Sequence, residues 1–520
     1  MKNLITSIDS FENMIQGKFL YVDKTEYVWR LIEPAKGLYF LSRPRRFGKS
    51  LLLSTLKAVF EGKKELFQGL ALYDKPYDWE KHPVIHLDLN GRDFSTPEKM
   101  EDRLQRILLE QANDHKVQLQ INSADTMFHE LIKTLHDKFG DVVILLDEYD
   151  KPILNNISED NRQVFLKALK AFYSVIKEKN DMIRLVFITG VSKFSHVSLF
   201  SDLNNLTDIT LDADFAEMLG FTEQDIRANF ADRIPEAAKA NGLSEEDLMQ
   251  RLLIWYDGYR FSEAVTHVCN PVSVTSFFKK HYRFANYWGT TGMPTFLFKL
   301  ARTTRFNFEQ ALSEPVSELA FNAYDVDSID TLGLLWQTGY LTIKETLPAT
   351  LGATMFRLGF PDYEVEQYFN TQLLAYYSGY KDSTMSSVVY KLTESIRHDE
   401  VDTFMKTLQA YFASIPYDIR SGDEHYYQTI FFITFLLLGC SIEAESRTNE
   451  GRIDAFVRTD KAVYIFEFKL DKTAEKAVSQ IVNRHYYERF QACGLPLRLI
   501  GVDFDSEKGR IDGWQEQKSN

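Results

Sequence analysis

The chain has 520 residues, 44% of them hydrophobic and 26% charged, so it is long enough for two to four globular domains. Its formal net charge of −14 argues against a surface built for non-specific nucleic-acid binding, although a local basic groove is compatible with it. The sequence has no apolar run long enough to span a membrane, no signal-peptide pattern and only 3 widely spaced cysteines, so we expect a cytoplasmic protein without disulfides or a zinc site.

Apolar strand-like runs alternate with helical stretches up to about residue 215. The runs are GLYFLS, PVIHLDL, VVILLDE and RLVFITG, and the helical stretch SLLLSTLKAVF follows the first of them. Continuous apolar strands separated by helices predict a parallel sheet that is covered on both faces. The N-terminal part is therefore expected to be an α/β domain.

The rest of the chain is predicted to contain a helical part, a hairpin and a second α/β part. Residues 216 to about 330 are mostly helical, and a helix followed by a hairpin over 329–360 is similar to a winged helix. From about residue 423 the predicted order is a helix, three strands, a helix over 472–491 and the strand LRLIGVDF. These patterns predict four domains, at 1–215, 216–360, 361–414 and 415–520.

A loop after the first strand leads into Gly48, Lys49 and Ser50 at the start of a helix. Backbone N–H groups and the helix dipole attract anions at such a position. Lys49 is expected to contact the β- and γ-phosphates of a nucleotide, and the Ser50 hydroxyl to bind Mg²⁺. Gly48 lets the backbone approach the phosphates closely.

The same loop carries Arg43, Arg45 and Arg46, and there is no acidic residue among residues 41–50. Arg43 stands where the full phosphate-binding pattern has a glycine, six positions before the lysine. We expect at least one of these arginines to contact phosphate, without the sequence showing which. A solvated basic loop is the alternative.

Two later strands end in polar residues that suit the same ligand. VVILLDEYD places Asp147 at a strand end, where it would hold Mg²⁺, and Glu148 next to it would orient or deprotonate the attacking water. RLVFITGVSKF places Thr189 and Ser192 where a sensor of the γ-phosphate would stand. A buried strand that ends in acidic turn residues is the alternative for either motif, but the three motifs in this order predict ATP and Mg²⁺ as ligands.

These segments resemble the bacterial AAA-ATPase-like family, which is related to the STAND and archaeal-type ATPases. The resemblance spans the N-terminal half and rests on RPRRFGKS and LLDEYD, supported by YVDKTEYVWRL, FITGVSKFSHVSLFSDLNNL, GFTEQDI and WYDGYRFS. It implies a P-loop ATPase followed by a helical and winged-helix lid. It also implies that Arg43 in place of the first glycine is usual, and it assigns no role to WYDGYRFS.

The C-terminal strands carry a second group of charged residues. Side chains alternate between the faces of a strand, so Glu467 and Lys469 share one face of AVYIFEFKL. The tight turn at 459–461 predicts an antiparallel pair that places Asp454 beside Glu467. Two adjacent carboxylates favour a divalent cation, Mg²⁺ or alternatively Mn²⁺, and Lys469 can then position water or neutralise charge on a phosphodiester.

This Asp…Glu-x-Lys order resembles the PD-(D/E)XK nuclease superfamily over roughly 415–515. The resemblance implies a restriction-endonuclease-like α/β fold and DNA as the substrate, with RNA left open, and it maps a further metal-binding acid onto Glu424. Ile453 replaces the proline of the motif, while Gln480 and Tyr486 loosely match the following helix. An ordinary hairpin with one solvated polar face and a degenerate nuclease that only binds are the alternatives.

Together the two halves predict an ATP-binding and ATP-hydrolysing protein that couples or gates a Mg²⁺-dependent nuclease domain acting on DNA. A homo-oligomer is compatible with this prediction. Two other classes stay open. One is an ATP-regulated switch whose C-terminal domain only binds nucleic acid or a protein partner, and the other is a signalling ATPase whose C-terminal domain serves assembly.

Overall fold

The computed structural model describes the chain except residues 8, 92, 155, 157–161, 194–198, 201–202, 204, 290–294, 322–329, 349–353, 380–381, 416–423, 440–442, 450–451, 486, 492, 506 and 520. Side chains are also left undescribed at residues 162, 295–296, 382–383, 424–428, 443–449, 452–454, 489 and 519. The chain divides into two compact units, Met1–Thr290 with Pro315–Asp362 and Thr291–Glu314 with Tyr363–Asn520.

The helices and strands of the described residues are numbered here in chain order. Up to residue 208 they are α1 (Phe11–Gln16), α2 (Thr25–Ile32), β1 (Gly37–Ser42), α3 (Lys49–Phe60), β2 (Val84–Asp88), α4 (Pro97–Asp114), α5 (Ala124–Phe139), β3 (Val142–Asp147), α6 (Lys151–Leu154), α7 (Arg162–Glu178), β4 (Ile183–Gly190) and β5 (Thr207–Asp208). From residue 223 to 359 they are α8 (Glu223–Asn229), α9 (Ile234–Asn241), α10 (Glu245–Tyr256), α11 (Pro271–Lys279), α12 (Thr295–Thr303), α13 (Phe308–Ser313), β6 (Val316–Ser317), α14 (Thr331–Gln337), β7 (Thr342–Leu347) and β8 (Met355–Gly359). The remaining ones are α15 (Tyr363–Ser378), α16 (Asp382–Arg397), α17 (Val401–Ala413), α18 (Glu424–Gly439), β9 (Glu443–Asn449), β10 (Arg452–Arg458), β11 (Val463–Leu470), α19 (Ala474–Asn483), α20 (Glu488–Gln491), β12 (Leu497–Asp505) and β13 (Arg510–Ser519).

A parallel sheet forms the centre of the first unit. In the described residues its five strands follow the order β2-β3-β4-β1-β5. β3 is buried over its whole length, as an apolar strand covered on both faces should be. The predicted α/β fold with a parallel sheet is confirmed.

The strand order brings the candidate site residues to one edge of this sheet. β4 lies between β1 and β3, so Ser42 at the end of β1 pairs with Gly190, and Leu146 near the end of β3 pairs with Ile188. Because parallel strands end at the same edge, the loop after β1 and the acidic turn after β3 are held close together.

The rest of the first unit contains α8–α11 and the hairpin of β7 and β8. Thr222 and Asp225 form a capping box at the start of α8, with each side chain accepting a hydrogen bond from the other residue's backbone N–H. The helix and antiparallel hairpin expected over 329–360 are α14, β7 and β8. Gln337 at the end of α14 accepts a hydrogen bond from the backbone N–H of Lys193 at 3.1 Å, which joins this part to the segment after β4.

The second unit is built on a mixed sheet in the order β13-β12-β11-β10-β9. β11 and β12 are parallel, and the other neighbours are antiparallel. The apolar helix α18 covers it, and the ring of Phe431 lies 4.3 Å from that of Phe468. None of the helices in the described part of the chain combines the length and apolar character needed to cross a membrane.

Three features of the second unit differ from the sequence expectations. Residues 291–314, expected in the lid, group with this unit, because the ring of Phe298 packs 5.5 Å from that of Phe369. The helix expected over 472–491 is broken after α19, where His485 has a φ of 55°. The strand β13 was not expected at all. The finer division into four domains stays a prediction.

Candidate nucleotide and nuclease sites

The loop between β1 and α3 ends in a backbone conformation that favours glycine. Gly48 has a φ of 93° and is the N-cap of α3, and no side chain caps this helix. The N–H groups of the first turn are therefore available to an anion, and the helix dipole adds partial positive charge there. This helix start suits a phosphate group.

Lys49 opens α3, and its side chain lies under the loop with only 5% of its surface exposed. Its Nζ donates to the carbonyl oxygens of Arg43 at 3.0 Å and Pro44 at 3.2 Å. It also lies 3.9 Å from Oε1 of Glu148. The loop and the acidic turn therefore hold the ammonium between them, at the start of the helix.

Asp147 is held between two hydroxyl groups that come from different elements. Ser50 Oγ donates to Asp147 Oδ2 at 2.5 Å, and Thr189 Oγ1 donates to Asp147 Oδ1 at 2.7 Å. Asp147 and Thr189 are buried. One carboxylate and adjacent hydroxyl oxygens are hard ligands of the kind that Mg²⁺ prefers, so the residues present fit the predicted ion.

Glu148 has a left-handed backbone with a φ of 55°, which is unusual for a residue with a side chain. Its carboxylate is only 14% exposed and faces Lys49. The turn therefore separates the two neighbouring acids, with Asp147 bound to hydroxyls and Glu148 next to the lysine. The two acids therefore have different surroundings, and their separate roles stay a prediction.

Ser192, expected as a γ-phosphate sensor, is bound to a different partner. Its Oγ and its N–H donate to Asp150 Oδ2 at 2.6 Å and 2.8 Å, and the residue is fully buried. Burial, together with the nearby Glu148 carboxylate, raises the pKa of Asp150 to about 6. We therefore correct the predicted role of Ser192 as a γ-phosphate sensor, because its hydroxyl already donates a hydrogen bond to Asp150. Asp150 was missed, although its signal was visible as a third acid in LLDEYD.

Arg43 lies beneath the loop, and its guanidinium faces backbone carbonyl groups. Its guanidinium donates to the carbonyl oxygens of Ser42 at 2.9 Å, Thr210 at 2.8 Å and Phe215 at 3.3 Å. It also lies 4.1 Å from the ring centroid of Phe261. Only 1% of Arg43 is exposed, and burial lowers its pKa to about 9. Phosphate contact by Arg43 is therefore corrected to a role in supporting the loop.

The other two arginines of the loop differ from each other. Arg46 has a φ of 69°, and its Nη1 donates to the carbonyl oxygen of Tyr287 at 2.5 Å. Arg45 is half-buried, and its guanidinium makes no hydrogen bond or ion pair with any other described residue. Arg45 is thus the arginine best placed to reach a phosphate, and contact by either one stays a prediction.

Glu467 and Lys469 share one face of β11, as their spacing predicts. Lys469 Nζ lies 2.8 Å from Glu467 Oε1, and both residues are buried. Asp454 on β10 stands directly opposite Glu467 in the antiparallel register. This pairing is the one that the short turn predicted.

The metal-binding part of this site rests on fewer side chains. The side chains of Asp454 and Glu424 lie outside the described residues, so their roles stay predictions. Among the side chains that are described, no three or more His, Cys, Asp or Glu residues are grouped to hold an ion. A buried carboxylate beside a lysine, with a second acid opposite in register, still fits Mg²⁺ or Mn²⁺.

Helix α19 closes over the same face of the sheet. Gln480 Nε2 donates to Glu467 Oε1 at 2.5 Å, which brings a residue named from the sequence to the site. Gly501 on β12 pairs with Glu467, and a Cβ at Gly501 would lie 2.2 Å from the carbonyl oxygen of Ala474. Gly501 therefore lets the helix approach the sheet closely. Tyr486 lies outside the described residues.

A polar depression of about 650 Å³ lies at the turn of the β10–β11 hairpin. Its lining includes Arg397, His398, Arg458 and Lys461. Glu467 is four residues along β11 from Val463 at the turn end, which is about 13 Å at about 3.3 Å per residue. The depression is therefore separate from the face that carries Glu467.

Comparisons with known proteins identify a family for each of two parts of the chain. Residues 6–200 match the model of the predicted AAA-ATPase (AAA-ATPase-like) family, and residues 422–514 match the PD-(D/E)XK nuclease superfamily. An uncharacterized protein in the vnfD 5′ region of Azotobacter chroococcum mcd 1 is 36% identical, over 99% of this chain and 98% of that protein. The crystal structure of Cdc6p from Pyrobaculum aerophilum is similar over 70% of this chain and 93% of that one, with 14% identity and a TM-score of 0.24.

Proposed function

The chain belongs to the AAA-ATPase-like family and ends in a domain of the PD-(D/E)XK nuclease superfamily, and we propose that it hydrolyses ATP to gate a metal-dependent nuclease that acts on DNA. The observation that carries the proposal is Asp147, held by Ser50 and Thr189 next to Lys49. The buried pair of Glu467 and Lys469 supports the nuclease half.

In the nucleotide site, the uncapped start of α3 binds the phosphates through its N–H groups. Lys49 neutralises charge on the β- and γ-phosphates. Ser50 and Asp147 hold Mg²⁺, which when bound neutralises charge on the phosphate oxygens. Glu148 orients the attacking water and accepts its proton.

In the nuclease site, Asp454 and Glu467 would hold the divalent cation, which would supply a Lewis acid for the attack of water on a phosphodiester. Lys469 stabilises the charge that develops on the phosphate. Gln480 fixes the orientation of the Glu467 carboxylate through its amide N–H. Glu424 is the further acidic ligand of this cation. Gating by ATP means that cleavage of nucleic acid depends on whether the first unit holds ATP or its hydrolysis product.

The partners that we propose are ATP and DNA, with RNA as an alternative substrate. We place the protein in the cytoplasm, because the cysteines at 269 and 493 are free thiols, as is usual in a reducing compartment. Self-association is a further proposal, and the elution volume of the purified chain with and without ATP tests it.

ATP binding and hydrolysis are tested by Lys49→Ala and Glu148→Gln in calorimetry and turnover assays. Lys49→Ala should lose nucleotide binding, because the cation at the start of the helix is removed. Glu148→Gln should still bind ATP but stop hydrolysing it, because an amide accepts no proton. Lys57→Ala, further along α3, is the control and should behave like wild type. Equal ATP affinity in wild type and Lys49→Ala would reject the nucleotide site.

The nuclease is tested by plasmid and oligonucleotide cleavage with Mg²⁺ or Mn²⁺, with and without ATP. Asp454→Ala should lose both metal binding and cleavage, because it removes the acid that stands directly opposite Glu467 and leaves a poor Mg²⁺ site. Lys469→Ala should keep the metal and cut slowly. Asp460→Ala, an exposed acid on the same hairpin, is the control. If wild type cuts no nucleic acid and Asp454→Ala binds Mn²⁺ as wild type does, a module that only binds replaces the nuclease.

A further inference from the structure

Hydrogen bonds join Tyr149 and Asp150, in the turn after β3, to residues 189–192 at the end of β4 and just beyond it. Glu148, which precedes them in the turn, takes no part in these bonds. Tyr149 N–H donates to the Thr189 carbonyl oxygen at 3.1 Å, and Tyr149 Oη donates to the Ser192 carbonyl oxygen at 3.0 Å. Asp150 Oδ2 accepts from both Ser192 donors, and Oδ1 accepts from the Val191 N–H at 3.4 Å. Residues 149 and 150 are therefore fixed to the segment 189–192.

Residues 149 and 150 pack closely against the segment 189–192. Tyr149 and Asp150 are both fully buried. At Gly190, a Cβ would lie 2.6 Å from the Tyr149 ring and 2.8 Å from Asp150 Oδ1. Glycine is thus required at 190 for the acidic turn to lie against β4, because even the Cβ of alanine would overlap Tyr149 and Asp150.

Glu148 is the residue left between two fixed points. On one side Asp147 is held by Ser50 and Thr189, and on the other side residues 149 and 150 are held by the segment after β4. A residue in a left-handed conformation persists only where its surroundings determine it, and such residues gather at active sites. The carboxylate of Glu148 lies 3.9 Å from Lys49 Nζ, while its backbone carbonyl oxygen accepts from the Lys151 N–H at 3.0 Å.

We infer that Asp150 is a positioning residue for ATP hydrolysis: its carboxylate holds the segment 191–192, and the turn so fixed keeps the Glu148 carboxylate directed at the phosphate site. This rests on the proposed ATPase function and adds a residue to it. Asp150 is fully buried, and its carboxylate is occupied by Val191 and Ser192. It acts through Glu148, so its loss should reduce turnover and leave ATP binding in place.

The test compares Asp150→Asn and Ser192→Ala with wild type at one pH, measuring ATP affinity by calorimetry and kcat and KM by phosphate release. Asp150→Asn replaces one acceptor oxygen by a donor, so kcat should fall about 10- to 100-fold while the Kd for ATP changes less than about threefold. Ser192→Ala removes only the hydroxyl and keeps both backbone donors, so its kcat should fall less. Asp137→Asn, an exposed helical acid paired with Lys133, should change neither quantity.

The outcomes separate this inference from the proposed function. A residue with a merely structural role would lower ATP affinity and turnover together, and that result for Asp150→Asn and Ser192→Ala would overturn the inference. Wild-type kcat in a soluble Asp150→Asn would overturn it too. A wild-type protein that binds ATP and never hydrolyses it would reject the ATPase function itself. If Asp150→Asn does not fold, Ser192→Ala alone decides, and it must lower kcat at constant affinity.

Discussion

Gly258, in the segment WYDGYRFS to which the sequence assigned no role, is the position where we expect alanine to be most harmful to the first unit. Its φ is 131°, a conformation that only glycine adopts readily. A Cβ there would lie 2.0 Å from the carbonyl oxygen of Pro361. That oxygen accepts a hydrogen bond from Lys344 Nζ at 2.8 Å, so it is poorly free to move away.

The cost of Gly258→Ala can be worked from these two effects. The backbone strain is about 1–3 kcal/mol. Overpacking against the backbone adds about 1–3 kcal/mol. The sum, roughly 2–6 kcal/mol, is a large part of the stability of an ordinary domain. Gly242→Ala is the matched control, because Gly242 has a φ of 66° and nothing lies within 4 Å of its Cβ position, so strain alone should cost about 1 kcal/mol.

Urea denaturation followed by tryptophan fluorescence measures both variants. Of the 6 tryptophans, all but Trp514 belong to the first unit, so the fluorescence reports mainly on that unit. We expect the free energy of unfolding to fall several-fold more in Gly258→Ala than in Gly242→Ala. An effect at Gly258 no larger than at Gly242 would refute the close approach to Pro361. The ring of Tyr259, the next residue, packs 4.8 Å from that of Phe47 in the P-loop, so ATP affinity should fall as well.

The loop arginines should separate into two classes. Arg43→Gln should lower the stability of the first unit, because its short amide cannot reach all three carbonyl acceptors, whereas Arg45→Gln should weaken ATP binding and reduce its salt dependence. Calorimetry at several salt concentrations and urea denaturation decide this, and equal ATP affinity in Arg45→Gln and wild type would exclude phosphate contact by Arg45. The titration of Asp150 should make the stability of the first unit depend on pH. Its raised pKa means that the folded state favours the protonated carboxyl, so this contribution to stability is present below about pH 4 and is lost as the pH rises through about 6. The stability of wild type relative to Asp150→Asn should therefore fall by up to about 3 kcal/mol between pH 4 and 7, and a constant difference would contradict the burial of this acid.

The parts of the sites that could be predicted from the sequence are those that follow from strand geometry. Parallel strands end at one edge, which brought Ser50, Asp147 and Thr189 together, and a short turn fixed the pairing of Asp454 with Glu467. These are consequences of local periodicity, and they need no knowledge of how distant segments pack.

The parts that could not be predicted depend on contacts between distant segments. The sequence of the basic loop does not indicate whether Arg43 is buried or exposed. Two of the carbonyl groups that accept its hydrogen bonds belong to residues 210 and 215, which are distant in the chain. Ser192 was predicted to be a sensor because the sequence does not indicate that Asp150 turns back towards the end of β4 and accepts the hydrogen bond of the Ser192 hydroxyl. The strand β13 carries mostly polar residues, so it lacks the apolar alternation by which strands are recognised.

The anchoring of Arg43 bears on when the phosphate-binding loop can form during synthesis. The loop is made within the first 50 residues, but Thr210, Phe215 and Phe261, which hold Arg43, emerge from the ribosome much later. Until then the guanidinium of Arg43, which ends up buried, has only the neighbouring carbonyl oxygen of Ser42 and water as partners. The α/β pattern of the sequence ends at residue 215, and a fragment that stops there would carry every residue expected to contact ATP. It would still lack the ring of Phe261, which packs against Arg43 beneath the loop. A part of the chain that keeps this loop intact therefore has to extend to the last residue that supports it, Phe261.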